Sequence, residues 1–90
     1  MTQPAPGNAA GATGRELFVR IARREGKSVA VLRAIDYGST CVVETEVYPP
    51  NAVTALRRGP YMFADTHRAT AFVTEAVEAL MYLGCDIQAS

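Results

Sequence analysis

The side chains best suited to chemistry are one histidine beside a helix start and two carboxylates on a strand. His67 follows Asp65 closely, so Asp65 could orient the imidazole as a general base. Glu44 and Glu46 are two residues apart, so on a strand they share a face and could flank a substrate. Each pattern has a plainer explanation, because Asp65 can cap the helix and the glutamates can pair with arginines across a sheet. No phosphate-binding, dinucleotide-binding or nucleophile-elbow string is present, so the sequence predicts a non-enzymatic protein without catalytic or cofactor-binding residues.

Soft metal ligands are few and widely spaced. Cys41 and Cys85 lie far apart, His67 is the single histidine, and no C-x-x-C or H-x-x-x-H spacing occurs. The sequence therefore predicts no metal site. We expect both cysteines to be reduced thiols that pack as small apolar side chains.

Aromatic and basic residues are interleaved in two segments. On a strand, Phe18 and its neighbouring arginines point away from Leu17, Val19 and Ile21, and we expect the helix to cover the second set. An uncovered face of this kind suits single-stranded nucleic acid, since rings stack on bases and guanidinium groups meet phosphates. A second basic and aromatic patch falls in a segment expected to be flexible. The candidate nucleic-acid-binding residues are Phe18, Arg20, Arg24, Arg57, Arg58 and Tyr61.

The distribution of charge weighs against that function. The formal net charge is zero, whereas nucleic-acid-binding domains are usually basic. Up to Ile35 there are six basic and two acidic residues, a net of +4, and from Asp36 onward three basic and seven acidic residues, a net of −4. Pairing between a basic first hairpin and an acidic third strand would solvate an exposed sheet face in the ordinary way.

Composition gives a broad class and a resemblance. All but one of the nine basic residues are arginine, and alanine is abundant, as expected of GC-rich codons. In this respect the chain resembles small uncharacterised proteins of GC-rich, Burkholderia-type bacteria. The chain has no apolar run of the ~18 residues needed to span a bilayer, and its first residues lack the features of a signal peptide. We therefore expect a cytoplasmic protein without a membrane partner.

Period-two alternation predicts an antiparallel meander behind a tail. Residues 1–14 carry no large apolar side chain after Met1, which predicts disorder, and residues 15–90 form one domain. Strands are predicted from Glu16, with a helix as the rival for that first run, and over 29–35 and 41–48. Residues 52–58 suit either a short helix or a loop, and 60–64 suit a fourth, edge strand.

A helix from Thr66 to Leu83 is the clearest element. Asp65 or Thr66 supplies the N-cap oxygen, and Gly84 stands where a helix often ends. One apolar stripe runs along it and must pack on the sheet. Its members are Ala69, Phe72, Val73, Ala76, Val77, Leu80 and Leu83. The predicted fold is thus α+β, with a three- to four-stranded antiparallel sheet covered on one face by a single C-terminal helix.

A meander of strands followed by one helix resembles the order of elements in PUR-repeat and Whirly-type single-strand binders. That resemblance implies nucleic-acid binding as the alternative function, although fold order alone does not give function. An aromatic, Met-containing sheet margin instead suits a protein interface. The leading interpretation is a small non-enzymatic interaction or structural protein with a protein partner or self-association.

Overall fold

The protein folds as an α+β structure with five strands and one helix. The computed structural model describes residues 14–51 and 53–90, so the predicted tail lies almost wholly outside the described residues. The chain order is β1 (Arg15–Arg24), β2 (Lys27–Asp36), β3 (Cys41–Val47), β4 (Leu56–Phe63), α1 (Thr66–Tyr82) and β5 (Asp86–Ala89). No helix among these residues is long and apolar enough to cross a membrane.

All strands pair antiparallel in the order β4-β3-β2-β1-β5. The predicted meander is confirmed, and its first run is a strand rather than the rival helix. The sheet has five strands where three or four were predicted, because the chain after α1 returns along the free edge of β1. A short helix and a loop were the two alternatives for 52–58, of which residue 52 lies outside the described residues. The end of that segment is instead a strand, since β4 begins at Leu56 and continues through the predicted edge strand.

α1 begins and ends close to the predicted positions. The Oδ1 atom of Asp65 accepts a hydrogen bond from the backbone N–H of Arg68 at 2.8 Å, which caps the first turn. Beyond the helix, Gly84 has a φ of +93°, and the N–H of Cys85 donates to the carbonyl of Leu80 at 3.0 Å. A residue with positive φ suits glycine, and the reversal that it allows sends the chain into β5.

The helix covers one face of the sheet through a core of small side chains. The main core cluster joins β2, β3 and α1, and the largest fully buried side chains are only Val43 and Cys41. A second cluster lies toward the β1–β2 turn. The buried members of the two clusters are Leu32, Ala34, Cys41, Val43, Ala69 and Val73 in the first, and Ala22, Ala30 and Cys85 in the second.

The predicted choice of face on β1 is wrong. Phe18, Arg20 and Ala22 pair with Ala34, Leu32 and Ala30, so they share the helix side with those core residues. The alternate residues Val19 and Ile21 point to the other side, opposite Arg33 and Val31. A shift in register between Glu16 and Phe18 lets Leu17 also pack against the core.

Candidate functional site

The side of the sheet away from α1 carries a mixed apolar and charged surface, here called the uncovered face. It is defined by the strand register, since directly paired residues point to the same side. Val19 is only 5% exposed although no helix covers it, whereas Met62 is 69% exposed. The members are Glu16, Val19, Ile21, Val31, Arg33, Ile35, Val42, Glu44, Glu46, Arg57 and Met62.

Arg33 lies at the centre of this face and joins three strands. Its Nε lies 3.0 Å from a carboxylate oxygen of Glu16 on β1, and its Nη1 lies 3.6 Å from one of Glu44 on β3. Arg57 on β4 lies 3.4 Å from Glu46. These contacts confirm the plainer explanation of the two glutamates, which hold arginines across the sheet.

A shallow cavity opens beside these ion pairs. It has a volume of about 180 Å³ and lies along β3 and β4, where the register shifts between Val43 and Thr45. Gly59 in the shifted segment has a φ of +85°. Thr45 Oγ1 donates to the carbonyl of Arg58 at 2.7 Å across the same irregularity. The cavity is part of the uncovered face.

The candidate nucleic-acid-binding residues do not lie on one surface. Phe18 and Arg20 meet on the helix side of β1, where the Arg20 guanidinium carbon is 4.9 Å from the ring centroid. Arg24 is exposed beside the β1–β2 turn. The structure therefore brings Phe18 and Arg20 together but does not leave them on an open sheet face with Arg24.

The second predicted patch is a strand rather than a flexible segment. Arg57 belongs to the uncovered face, while Arg58 pairs with Thr45 and Tyr61 with Val43 on the helix side. The ring of Tyr61 lies 5.0 Å from that of Phe72 in α1. Two strands separate β4 from β1, so the two patches are about 14 Å apart at ordinary strand spacing.

A hydrogen-bonded group at the β2–β3 turn contains the most buried thiol. The N–H of Gly38 donates to Asp36 Oδ1 at 2.8 Å, which lowers the pKa of that carboxyl, and the Arg15 guanidinium at 3.3 Å acts in the same direction. Burial and the neighbouring Asp36 raise the pKa of the Cys41 thiol. A protonated, buried thiol is a weak nucleophile, so Cys41 acts as a core side chain.

The other chemically suggestive residues have structural partners. Asp65 uses one oxygen as the helix cap, and its other oxygen lies 3.9 Å from Arg68 Nε, while His67 is exposed. The Tyr48 hydroxyl donates to Glu46 at 3.1 Å, and this hydrogen bond raises the pKa of Tyr48. In the described part of the chain, no group of three or more His, Cys, Asp or Glu residues could hold a metal ion.

A second concave surface was not predicted from the sequence. It lies at the end of the sheet that carries the β1–β2 turn, between that turn, the segment after β3 and the last turn of α1. Leu83 was predicted to be buried in the helix stripe, but it is 65% exposed there. The sequence did contain a signal for this exposure: Leu83 directly precedes the glycine that ends the helix, so it lies beyond the last complete turn.

Comparison with known proteins gives no relative. No protein-family model matches the chain, and neither a curated protein nor a solved structure shows significant similarity to it.

Proposed function

We propose that this protein is a non-enzymatic interaction domain that associates with a second copy of itself through the uncovered face. The observation that carries the proposal is the apolar content of that face. Val31 lies at its middle on β2, with Ile21 on one side and Met62 toward the β4 edge. Apolar side chains on an unpartnered sheet face lower the free energy of the protein when a second surface removes them from water.

The size of the face suits a dimer. Five strands at about 4.8 Å spacing, with 7 to 10 residues in each of the first four, span roughly 500–600 Å² in projection. The accessible area of a surface with side chains exceeds its projection. The face therefore approaches the ~800 Å² per partner that stable interfaces bury.

The charges on the face favour a neutral partner. Arg33 and Arg57 are already held by three glutamates of the same face, so the face presents paired charges of both signs rather than a cationic field. The whole chain also has a net charge of zero, so two copies do not repel each other. A paired arginine enters an interface at a lower desolvation cost than an unpaired one.

The thin core gives self-association a thermodynamic basis. Six of the ten buried apolar residues in the described part of the chain are alanine or cysteine, and the ring of Phe72 is only partly buried. Small domains bury a modest fraction of their surface and are only marginally stable. A partner that binds the folded state alone adds to that stability by mass action.

The proposal is tested by sedimentation equilibrium across a wide range of protein concentration. We expect a monomer–dimer equilibrium that changes little between about 50 mM and 500 mM salt, because an apolar interface is weakly screened. Val31→Asp should leave a monomer, since it places a charge at the centre of the interface. Thr74→Asp adds the same charge at an exposed helix position and should dimerise normally.

Circular dichroism shows whether each variant is folded. A folded wild-type protein that stays monomeric at every concentration overturns the proposal, as does normal dimerisation of Val31→Asp. Titration of the same samples into labelled single-stranded DNA and RNA addresses the alternative. Binding that collapses with salt and weakens when Arg20→Ala and Arg24→Ala are combined would favour nucleic acid as the partner.

A further inference from the structure

The concave surface at the turn end of the sheet is a groove of about 570 Å³. This volume lies within the range of small-molecule sites, roughly 300–1,000 Å³. The groove lies away from the uncovered face, so ligand binding there does not depend on self-association. Its lining comprises Arg24, Glu25, Lys27, Ser28, Val29, Tyr48, Pro49, Pro50, Asn51, Leu80, Leu83 and Cys85.

The floor and one wall of the groove are apolar. Val29 and Leu80 pack against the second core cluster, whose Cys85 is 8% exposed at the base. Leu83 adds apolar surface beyond the last turn of α1, and Tyr48 and Pro49 also line the groove. Solvent-exposed apolar side chains that converge on one groove are typical of a site for an apolar ligand.

The rim of the groove carries a small excess of positive charge. Arg24 and Lys27 are exposed there with a single acidic residue, Glu25. Among the residues that the structure describes, neither cation forms an ion pair with a carboxylate. An anionic group that reached this rim would therefore meet cations without displacing an existing partner.

We infer that this groove binds a small amphipathic anion, with an aromatic or aliphatic body and one carboxylate or sulfonate group. The body lies against Leu80 and Leu83, and the anionic group lies between Arg24 and Lys27. The apolar wall supplies most of the binding free energy, and the cations set the orientation of the ligand.

The probe for the test is 8-anilinonaphthalene-1-sulfonate, an aromatic sulfonate whose fluorescence rises in apolar surroundings. We expect saturable binding to one site on the folded 90-residue chain. Leu83→Ser should weaken binding about tenfold, because it removes apolar wall area. Arg24→Ala with Lys27→Ala should weaken binding severalfold and reduce its dependence on salt.

Met62→Ser is the matched control, since Met62 and Leu83 have similar exposures of 69% and 65% on different surfaces. It should leave the dissociation constant unchanged. Equal weakening by Met62→Ser and Leu83→Ser would place the probe on the uncovered face and overturn the inference. No saturable binding, or no effect of the two cation substitutions, would also overturn it.

Alkylation of Cys85, followed by mass spectrometry of its peptide, provides a second readout. Bound probe should slow the modification of Cys85 severalfold, because the thiol lies at the base of the groove. An unchanged rate at saturating probe would mean that the ligand binds elsewhere. Circular dichroism with and without the probe excludes binding to an unfolded population.

Discussion

Arg33 links the basic first part of this chain to its acidic second part. It lies in the basic first hairpin and contacts Glu44 in the acidic part as well as Glu16 on the neighbouring strand. Exposed ion pairs contribute only about 0–1 kcal/mol each. Their main effect is therefore on strand register, because shifting one strand by one residue would turn its charged side chains to the opposite side of the sheet.

Gly59 is the residue at which backbone geometry constrains the sequence most. Its φ is +85°, and a Cβ atom there would lie 2.8 Å from the backbone nitrogen of Tyr61. Gly38 has a similar φ of +93° but no atom within 4 Å of the Cβ position. The two glycines thus separate the cost of the backbone conformation from the cost of a steric clash.

Gly59→Ala should reduce the free energy of unfolding by about 2–4 kcal/mol, whereas Gly38→Ala should cost about 1–2 kcal/mol. Both substitutions place an alanine in the left-handed conformation, which a side chain disfavours. Only Gly59→Ala also creates a steric clash that β4 must move to relieve. Urea denaturation at constant slope measures the difference. Equal costs would mean that β4 relaxes freely around position 59.

At the scale of elements, α1 is positioned by its cap and by an aromatic cluster on β4. Phe72 lies 5.0 Å from Tyr61 and 5.2 Å from Phe63, with tilted rings in both pairs. Tilted pairs of this kind contribute about 0.5–1.5 kcal/mol beyond their burial. The cluster ties the helix to an edge strand that otherwise pairs only with β3.

Phe72→Ala should cost about 2–3 kcal/mol, which is less than the 3–5 kcal/mol of a fully buried ring, because Phe72 is only partly buried. Tyr82→Ala serves as the control on the same helix, since Tyr82 is 95% exposed, and it should change stability by less than about 0.5 kcal/mol. Thermal and urea unfolding measure both. A cost for Phe72→Ala no larger than that of the control would show that the cluster does not hold α1.

The element that sequence reasoning missed is β5. It has only four residues, and Ile87 is its single partly buried side chain. So short a run carries too little alternation to predict a strand. β5 forms because Gly84 reverses the chain beside the free edge of β1, where Ile87 pairs with Ala22.

For the molecule as a whole, stability and self-association are linked. If two copies bind through the uncovered face, the melting temperature of a population that is mostly dimeric should rise by about 3–6 °C for each tenfold increase in protein concentration. Val31→Asp should remove this dependence. Differential scanning calorimetry of both proteins at matched concentrations measures the effect, and a melting temperature independent of concentration would contradict self-association.

The sequence alone determined the α+β class, the first three strands and the limits of the helix. Alternation over several residues indicates an extended strand, and an Asp cap with a terminal glycine marks a helix, because both signals arise from local backbone geometry. The pairing of Glu44 with an arginine across the sheet was also predictable from charge alone. These features need no knowledge of distant parts of the chain.

Tertiary structure decided which side of the sheet the helix covers, and with it the position of every candidate site residue. β1 carries apolar side chains on both sides, so its pattern does not distinguish Phe18 from Val19. Ala34 on β2 and Ala69 on α1 are both fully buried, and such small side chains let the helix approach the sheet closely. The register between β1 and β2 therefore places Phe18 and Arg20 on the helix side, and Arg33 lies on the uncovered face.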